Sequence, residues 1–365
     1  MNYNEIRKKT KKIKVGNLYI GGDAPITVQS MTNTDTLDAV ATTAQVKALA
    51  QRGCDIVRIA APTVEASATF AYAKREGVTV PLVADIHFDY KIALECVKAG
   101  VDKIRINPGN IGSDDKVREV CRACADAGIP IRVGVNSGSL EKSILAKYGS
   151  PTPEALVESA LYHVGLLEKF GFYDTVISIK TTNAHDMIKA NRLLSERTSY
   201  PIHIGVTEAG TPERGLVRSA VGVGSLLCDG IGDTLRVSLT GDPLLEVDAA
   251  QKILEAVGVD GKHGMNIISC PTCGRTKIDL PKLVADFEKA AKEAEIYDLP
   301  INVALMGCVV NGPGEAKEAD IGIAGGIGEA VIIESGEITA KFAEDRVIDA
   351  LIARIKEKYK DKLGK

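Results

Sequence analysis

The chain lacks long apolar segments, and this absence argues against a membrane protein. None of its 365 residues belongs to a run approaching the ~20 apolar residues that span a bilayer. The opening MNYNEIRKKTKKIKVG is basic but has no apolar core of a secretory signal peptide. Its 8 cysteines are too few for a disulfide framework in a chain of this length. We therefore expect a cytoplasmic protein, in which clustered thiols are metal ligands.

The chain also lacks an excess of charge and a dinucleotide-binding fingerprint. A net charge of −3 gives no electrostatic reason to expect nucleic acid or an anionic membrane as a partner. No G-x-G-x-x-G follows the first strand-like run, which argues against a dinucleotide-binding fold. The length favours two domains, because single cores rarely grow past roughly 250–300 residues.

Short β-branched runs alternate with amphipathic segments through the first two thirds of the chain. Such alternation indicates parallel βαβ units, and eight of them in about 240 residues fit a closed (β/α)8 TIM barrel better than an open doubly wound sheet. A smaller α/β pattern follows the polar linker VDGKHG. We predict a substrate-binding barrel domain over 1–258 and a small α/β domain over 264–365, whose cysteines indicate an iron–sulfur domain.

Polar side chains recur at one end of the predicted strands. Alternate residues share a face of a strand, so Arg105 lies with Asn107, and Arg132 with Asn136. The active sites of TIM barrels lie at the C-terminal strand ends. Other strands place further polar residues at that end, namely Arg58, Asp85, His87, Ser178, Lys180, Arg236 and Ser238.

The five cations of this set, two of them Arg105 and Arg132, would repel one another without a counter-anion. The pattern therefore predicts a pocket for a small polyanion such as a diphosphate, whose oxygens match guanidinium forks. The alternative for any single cation is a surface charge or a pair with a buried acid, such as Asp85 or Asp233. Glu208, after the seventh predicted strand, is either a proton donor or a hydrogen-bond anchor.

Three cysteines of the second domain are candidate metal ligands. Cys270 and Cys273 form a C-x-x-C pair in SCPTCGRTK, and Cys308 ends another strand in GCVVNGPGE. Zinc would require a fourth Cys or His, and the nearest histidine, His263, lies in the linker. Three thiolates with an open or oxygen-ligated position suit a [4Fe–4S] cluster. Glu315 is the oxygen candidate, unless it is a solvated loop carboxylate.

The other five cysteines are predicted to be packing residues. Cys121 and Cys124 also form a C-x-x-C pair, but they lie within a helical pattern that has no partner motif. Cys54, Cys96 and Cys228 lie in apolar segments, which predicts buried core thiols.

CPTCGR together with GCVVNGPGE resembles the signature of the 4-hydroxy-3-methylbut-2-enyl diphosphate synthase family in its bacterial two-domain form. The resemblance extends through VQSMTNTDT, RIAAPT, ADIHFDY, IRINPGNIG, VGVNSGSLE, SIKTTN and VTEAG. It implies a [4Fe–4S] cluster, the substrate 2-C-methyl-D-erythritol 2,4-cyclodiphosphate, and flavodoxin or ferredoxin as electron donor. The implied cluster ligands are Cys270, Cys273, Cys308 and Glu315. The implied substrate contacts are Arg58, His87, Arg105, Asn107, Arg132, Asn136, Lys180, Arg236, Ser238 and Asn311.

This resemblance implies a reductive ring opening in which the arginines stabilise charge on the leaving diphosphate oxygen. Glu208 would donate a proton, and Glu315 would give way to a substrate oxygen. Two rival hypotheses stay open. One is a pterin- or corrinoid-type barrel that transfers one carbon, and the other is a zinc-stapled protein that binds a phosphorylated ligand without turnover.

The predicted path of the chain indicates an assembly. The eighth strand ends near Leu239 at the active-site end, and the helix from Pro243 to Val257 then covers ~22 Å back to the other end. The linker VDGKHG spans at most ~20 Å, too little to return over the rim. We therefore expect the second domain of one chain to cap the barrel of another in a head-to-tail homodimer. The family resemblance implies the same.

Overall fold

A computed structural model describes residues 3–259, 264–308, 314 and 319–362 of the chain. Its contacts divide the chain into two units, Met1–Asp260 and Gly261–Lys365. The domains expected from the sequence, 1–258 and 264–365, lie on either side of this division. Each unit has an apolar core of its own. Within the described ranges, no helix combines the length and apolarity that a membrane span requires.

The first unit is a parallel-stranded barrel, which confirms the (β/α)8 prediction. Its sheet order is β8-β7-β6-β5-β4-β3-β10-β9, and a parallel bridge from Ile177 to Ile202 brings its two ends together. A hydrogen bond from Thr207 N to Thr181 O, 3.1 Å long, supports the same closure. The strands are β3 Thr27–Met31, β4 Ile56–Ala60, β5 Leu82–Asp85, β6 Lys103–Ile106, β7 Ile131–Asn136, β8 Thr175–Lys180, β9 His203–Ile204 and β10 Thr234–Leu235.

One short helix, α1 Tyr3–Ile6, precedes the barrel, and the other helices of this unit follow its strands. They are α2 Ala39–Gln51, α3 Ser67–Arg75, α4 Tyr90–Lys98, α5 Pro108–Ile111, α6 Asp114–Ala127, α7 Lys142–Tyr148, α8 Pro153–Lys169, α9 Ala184–Arg197, α10 Pro212–Cys228 and α11 Leu244–Val257. Capping residues set several of their ends. The Asp38 side chain accepts a hydrogen bond from Ala41 N before α2, and Gly258 ends α11 in the left-handed conformation.

The last two barrel strands are shorter than the sequence predicts. Strand patterns cover 202–207 and 234–239, but regular pairing is confined to β9 and β10, His203–Ile204 and Thr234–Leu235. The two backbones still run together beyond these residues, because Arg236 N donates to Ile204 O at 3.1 Å. A Cβ on Gly205 would lie 2.3 Å from Arg236 O, so glycine permits an unusually close approach that interrupts the ladder.

An N-terminal hairpin, which the sequence pattern did not predict, closes the barrel at the N-terminal ends of its strands. It consists of β1 Ile13–Val15 and β2 Leu18–Ile20. Val15 and Ile20 are fully buried against Ile56 and Val83, near the starts of β4 and β5. This apolar plug leaves the opposite, C-terminal end of the barrel as the end where polar side chains collect.

The second unit is a five-stranded sheet with helices. β11 Asn266–Ser269, β12 Asn302–Met306 and β13 Ile321–Gly325 run parallel, and the antiparallel strands β14 Glu329–Glu334 and β15 Glu337–Ala343 complete the order. The helices α12 Leu280–Glu293 and α13 Val347–Lys358 contribute Phe287 and Leu351 to one core with Val303. The sequence pattern missed β15, whose exposed residues lack a clear alternation.

The packing prediction holds for four of the five other cysteines. Cys121 and Cys124 are buried in α6, and Cys54 and Cys96 are buried as well. The prediction for Cys228 was wrong, because this thiol is exposed. It is the last residue of α10, where the apolar face of the helix ends.

Candidate functional site

A group of cationic side chains lies at the C-terminal end of the barrel strands. Arg105 and Arg132 are paired across β6 and β7. They are 7% and 1% exposed, so their charges are held almost entirely inside the barrel. A Cβ on Gly134 would lie 2.5 Å from Arg105 Nε, so the glycine in β7 makes room for this guanidinium. The full group, called the cation cluster, is Arg58, Arg105, Arg132, Lys180 and Arg236.

Asp85 at the end of β5 is one counter-charge of the cation cluster. Its Oδ1 lies 3.1 Å from Arg105 Nη1, and its Oδ2 lies 3.7 Å from Arg58 Nε. His87 Nε2 lies 3.6 Å from the same Oδ2, although this imidazole is 54% exposed. Burial would raise the pKa of Asp85, but the charge of Arg58 and the hydrogen bond from His87 outweigh it and hold that pKa far below its usual range. Asp85 is therefore an anion that fixes two guanidinium groups.

Glu246 is the second counter-charge, and the sequence pattern did not reveal it. Its carboxylate accepts from Arg236 Nε at 3.0 Å and Nη2 at 2.9 Å, and from Ser30 Oγ at 2.8 Å. It is 3% exposed although it lies in α11. Its helical spacing to Ala250 and Ile253, both buried, places it on the apolar face of that helix. The sequence signal that could have identified Glu246 is a carboxylate on the apolar face of a predicted helix.

The other carboxylate considered from the sequence, Asp233, does not serve the cluster. It precedes β10, at the N-terminal end of the barrel, and pairs with Arg7 at 2.9 Å. Within the described residues, five cations thus face two buried carboxylates, Asp85 and Glu246. Three positive charges are therefore left without a buried counter-charge among the described residues.

Burial, together with this excess of positive charge, lowers the pKa values of Arg58, Arg132 and Lys180. Burial, followed by repulsion from Arg58, Arg132 and Arg236, holds the pKa of Lys180 well below its ordinary value. Burial also lowers the pKa of Arg58 to about 10, and Asp85 opposes this shift. An anion small enough to enter the pocket would therefore stabilise the folded protein by pairing with these buried cations.

Neutral polar residues lie beside the cluster. Asn107 is 4% exposed, and its Oδ1 accepts a hydrogen bond from Gly109 N at 3.1 Å. Its buried Nδ2 has no hydrogen-bond partner among the described residues. Asn136 and Ser238 are half-buried near the ends of β7 and β10, and Ser178 is buried in β8. These residues can add hydrogen bonds around a bound anion.

Glu208 is exposed, and its backbone has a φ of 52°. A left-handed conformation is uncommon for a residue with a side chain and often occurs at functional sites. It also breaks the two-residue alternation of the strand. Parity with Ile204 and Val206, which are buried in the core, therefore does not set the direction of this side chain.

Two buried bases beneath the cluster were also missed from the sequence. Lys103 is fully buried in β6, and its Nζ has no hydrogen-bond partner among the described residues. Burial and the charges of Arg132 and Arg58 hold its pKa well below 10.5. His203 in β9 is equally buried, and its pKa is lowered by burial and by the same cations. Parity with Arg105 was the signal that could have identified Lys103.

The three candidate thiols lie at one end of the second sheet. Cys270 follows β11 and Cys308 follows β12, and these strands are parallel neighbours. Gly307 N donates to Cys270 Sγ at 3.4 Å, and Lys277 N donates to Gly307 O at 3.0 Å, which ties the two segments together. Cys273 is exposed, and hydrogen bonds from Arg275 lower its pKa, which favours the thiolate.

Two predicted site residues, Asn311 and Glu315, lie outside the described residues, as does His263. In the portion of the chain that the structure does describe, no three His, Cys, Asp or Glu side chains form a ready ligand group. The donor chemistry nevertheless suits a thiolate-bound metal group. Thiolates are the usual ligands of iron–sulfur clusters, and backbone N–H donors to sulfur tune such sites.

The fold and these residues define a two-domain barrel protein with a cation-rich pocket in one domain and a three-cysteine set in the other. The family models agree with this description. The GcpE TIM-barrel domain matches residues 10–251, and the GcpE protein C-terminal domain matches residues 266–357. The chain belongs to the GcpE family.

Relatives along nearly the whole chain are named 4-hydroxy-3-methylbut-2-en-1-yl diphosphate synthase (flavodoxin). The protein of Clostridium perfringens is 54% identical over 346 residues, which cover 95% of this chain and 98% of the relative. That of Symbiobacterium thermophilum is 54% identical over 352 residues, 96% of this chain and 94% of the relative. That of Geobacter sulfurreducens is 53% identical, covering 96% and 98%. The family resemblance predicted from the motifs is confirmed.

Solved structures of dihydropteroate synthases resemble the barrel. The enzyme of Stenotrophomonas maltophilia aligns with a TM-score of 0.50 at 17% identity, over 68% of this chain and 98% of that one. The enzyme of Vibrio fischeri gives the same TM-score at 14% identity, over 68% and 98%. At such identities the likeness shows the fold alone. It therefore does not favour the one-carbon-transfer hypothesis.

Proposed function

We propose that the protein converts 2-C-methyl-D-erythritol 2,4-cyclodiphosphate to (E)-4-hydroxy-3-methylbut-2-enyl diphosphate in isoprenoid precursor biosynthesis. This reaction opens the ring, takes up two electrons and two protons, and releases one water. The name shared by relatives at 54% identity supports it. The structural observation that carries it is the cation cluster, in which three positive charges lack a buried counter-charge among the described residues.

The cyclic diphosphate would supply that missing negative charge. Arg132, 1% exposed, and Lys180, 6% exposed, have no carboxylate partner in the described structure. A bound anion would raise the pKa of Lys180 and favour its charged form, because opposite charges favour ionisation. Guanidinium and ammonium groups would then form charge-assisted hydrogen bonds to the phosphate oxygens.

Fixed cations also suit the departure of the diphosphate oxygen from carbon. Glu246 holds Arg236 with two hydrogen bonds of 2.9 and 3.0 Å, and Asp85 lies 3.1 Å from Arg105. Donors already oriented stabilise developing charge without reorganising during the reaction. We propose Glu208 as the proton donor to the departing water. Orienting contacts would come from His87, Asn107, Asn136, Ser238 and Asn311.

We further propose that Cys270, Cys273, Cys308 and Glu315 hold a [4Fe–4S] cluster. When bound, such a cluster supplies electrons at low potential. The adjacent parallel strands β11 and β12 and the Gly307 N–H to Cys270 Sγ support this ligand set. The relatives' name supports flavodoxin as the donor, with ferredoxin as the alternative, and we expect the reaction to occur in the cytoplasm.

The test is an anaerobic assay of the purified protein. Iron and sulfide are measured, a visible spectrum is recorded, and reduced flavodoxin is mixed with the cyclic diphosphate. We expect a brown iron–sulfur protein that forms the linear product, detected by mass spectrometry. A colourless zinc protein would instead support the phospho-ligand binding hypothesis. An iron–sulfur protein that binds the substrate but forms no product would contradict the proposed reaction.

We also propose that the second domain of one chain caps the barrel of another in a head-to-tail homodimer. In the first turn of α11, Glu246 accepts a hydrogen bond from Leu239 N at the C-terminal end of the barrel, and Gln251 contacts Arg52 O near the other end. Exposed apolar residues after β3 and β5 support a covered mouth, namely Leu37, Val40 and Phe88, which are 57%, 65% and 75% exposed.

Mixed dimers test this arrangement. A Cys270→Ser chain and an Arg236→Ala chain are each expected to be inactive alone. If sites are shared between chains, co-expressed heterodimers regain activity, since one site then combines an intact barrel with an intact second domain. Heterodimers of proven composition without recovered activity would exclude shared sites.

A further inference from the structure

One buried histidine lies behind the loops that follow two neighbouring barrel strands. His163 in α8 is fully buried. Its Nε2 contacts Glu141 Oε1, in the loop between β7 and α7. Burial lowers the pKa of His163, and Glu141 opposes this shift. Removing a polar imidazole from water is unfavourable, so the burial of His163 calls for a structural or functional explanation.

The same histidine packs against the short helix α5, which follows β6. A Cβ added to Gly109 would lie 2.7 Å from His163 Cε1 and 3.4 Å from Glu141 Oε1. Gly109 has no positive φ, so only this contact restricts the position. The imidazole and the carboxylate therefore set how closely the Gly109 backbone approaches α8.

Gly109 in turn orients a side chain of the pocket. Its N–H donates to Asn107 Oδ1 at 3.1 Å, which fixes the plane of that amide. The amide nitrogen Nδ2 is buried and lacks a hydrogen-bond partner among the described residues. The fixed oxygen thus leaves the Nδ2 donor free for a ligand.

We propose that His163 is a positioning residue that acts through Gly109 on the Asn107 amide and through Glu141 on the loop after β7. This inference rests on the proposed function, because it requires Asn107 to contact the substrate. His163 does not touch the substrate itself. It fixes α5 and the loop after β7 in position relative to each other. The Asn107 donor can then meet the diphosphate without first reorienting.

A double-mutant cycle tests this role, with kcat and KM for the cyclic diphosphate measured alongside calorimetric binding. Gly109→Ala is expected to raise KM and Kd about five- to tenfold, the effect of one misplaced hydrogen bond, with a smaller change in kcat. In a His163→Ala background the added methyl meets no ring, so the double variant should bind no worse than His163→Ala alone. His163→Ala should likewise add nothing to Asn107→Ala.

Gly165→Ala is the matched control, because this exposed glycine lies in α8 with open space around its Cβ position. It should leave KM unchanged. Independent, multiplying effects of Gly109→Ala and His163→Ala would overturn the proposal. If His163→Ala does not fold, Glu141→Gln replaces it and should raise KM about two- to fivefold. Unchanged KM and Kd in both Gly109→Ala and Glu141→Gln would also overturn it. A wild-type protein that binds the substrate without turnover would refute the proposed reaction. The double-mutant cycle could then still be measured from the Kd values alone, and it would still test the role of His163.

Discussion

The barrel pocket and the thiol end of the second domain differ in how they are built. The pocket is made of buried side chains on regular strands, and Asp85 and Glu246 fix part of its charge in place. The thiols follow the ends of strands, and Cys273 is exposed. A rigid scaffold can hold charges before its ligand arrives, whereas loop-borne thiolates depend on the group they bind. The two regions should therefore respond differently to substitution.

The largest effect is expected from removing a thiol. Cys273→Ser should abolish the cluster and turnover, because two thiolates and a carboxylate do not hold it. Iron and sulfide content and the visible spectrum measure this loss. Cys228→Ser, at an exposed thiol in the barrel, is the control and should retain both. A full cluster in Cys273→Ser would remove Cys273 from the ligand set.

Glu315→Ala should have a narrower effect than the thiol variant. Three thiolates remain, so a cluster should still assemble, but most turnover should be lost. Metal analysis and the electronic spectrum are compared with steady-state rates. Normal activity with an unchanged spectrum would show that Glu315 is not a ligand.

Loss of one cation should weaken binding and spare the second domain. Arg132→Ala should reduce affinity for the cyclic diphosphate by roughly 1.5–3 kcal/mol, the contribution of a charged hydrogen bond. The cluster spectrum should not change. Arg52→Ala is the matched control, since Arg52 pairs with Asp248 on the exposed surface. Equal affinity in Arg132→Ala and wild type would refute the anion pocket.

The smallest effect concerns the base below the cluster. The pKa of Lys103 in the folded state lies well below the ordinary value of 10.5. At a pH between the folded-state and unfolded-state pKa values, the amine is therefore protonated in the unfolded chain and neutral in the folded protein. Its contribution to stability therefore becomes less unfavourable as pH rises towards 10.5. Lys103→Met should stabilise the ligand-free protein by about 1 kcal/mol near pH 7, with a smaller gain near pH 10.

Thermal unfolding across this pH range measures that gain. Lys91→Met, at an exposed position of α4, is the control and should show little change. A gain for Lys103→Met that grows with pH would contradict a lowered pKa for the buried amine.

The sequence predicted the grouping of the cation cluster because a strand has a fixed two-residue period. Parity placed Arg105, Arg132 and Lys180 on one face of their strands, and the C-terminal strand ends of a TIM barrel were the expected location of the active site. Parity could not find Glu246, because the Ser30–Glu246 contact joins the first barrel strand to the last helix. It also failed at Glu208, where a φ of 52° interrupts the alternation. Strand parity contains no information on either feature, because both depend on tertiary packing or on irregular backbone.

The most direct test of a preformed cationic pocket is calorimetric titration of a Cys270→Ser/Cys273→Ser/Cys308→Ser variant with the cyclic diphosphate. We expect binding close to that of the intact enzyme, because the cation cluster is formed by the barrel. Loss of binding in this triple serine variant would contradict such a pocket.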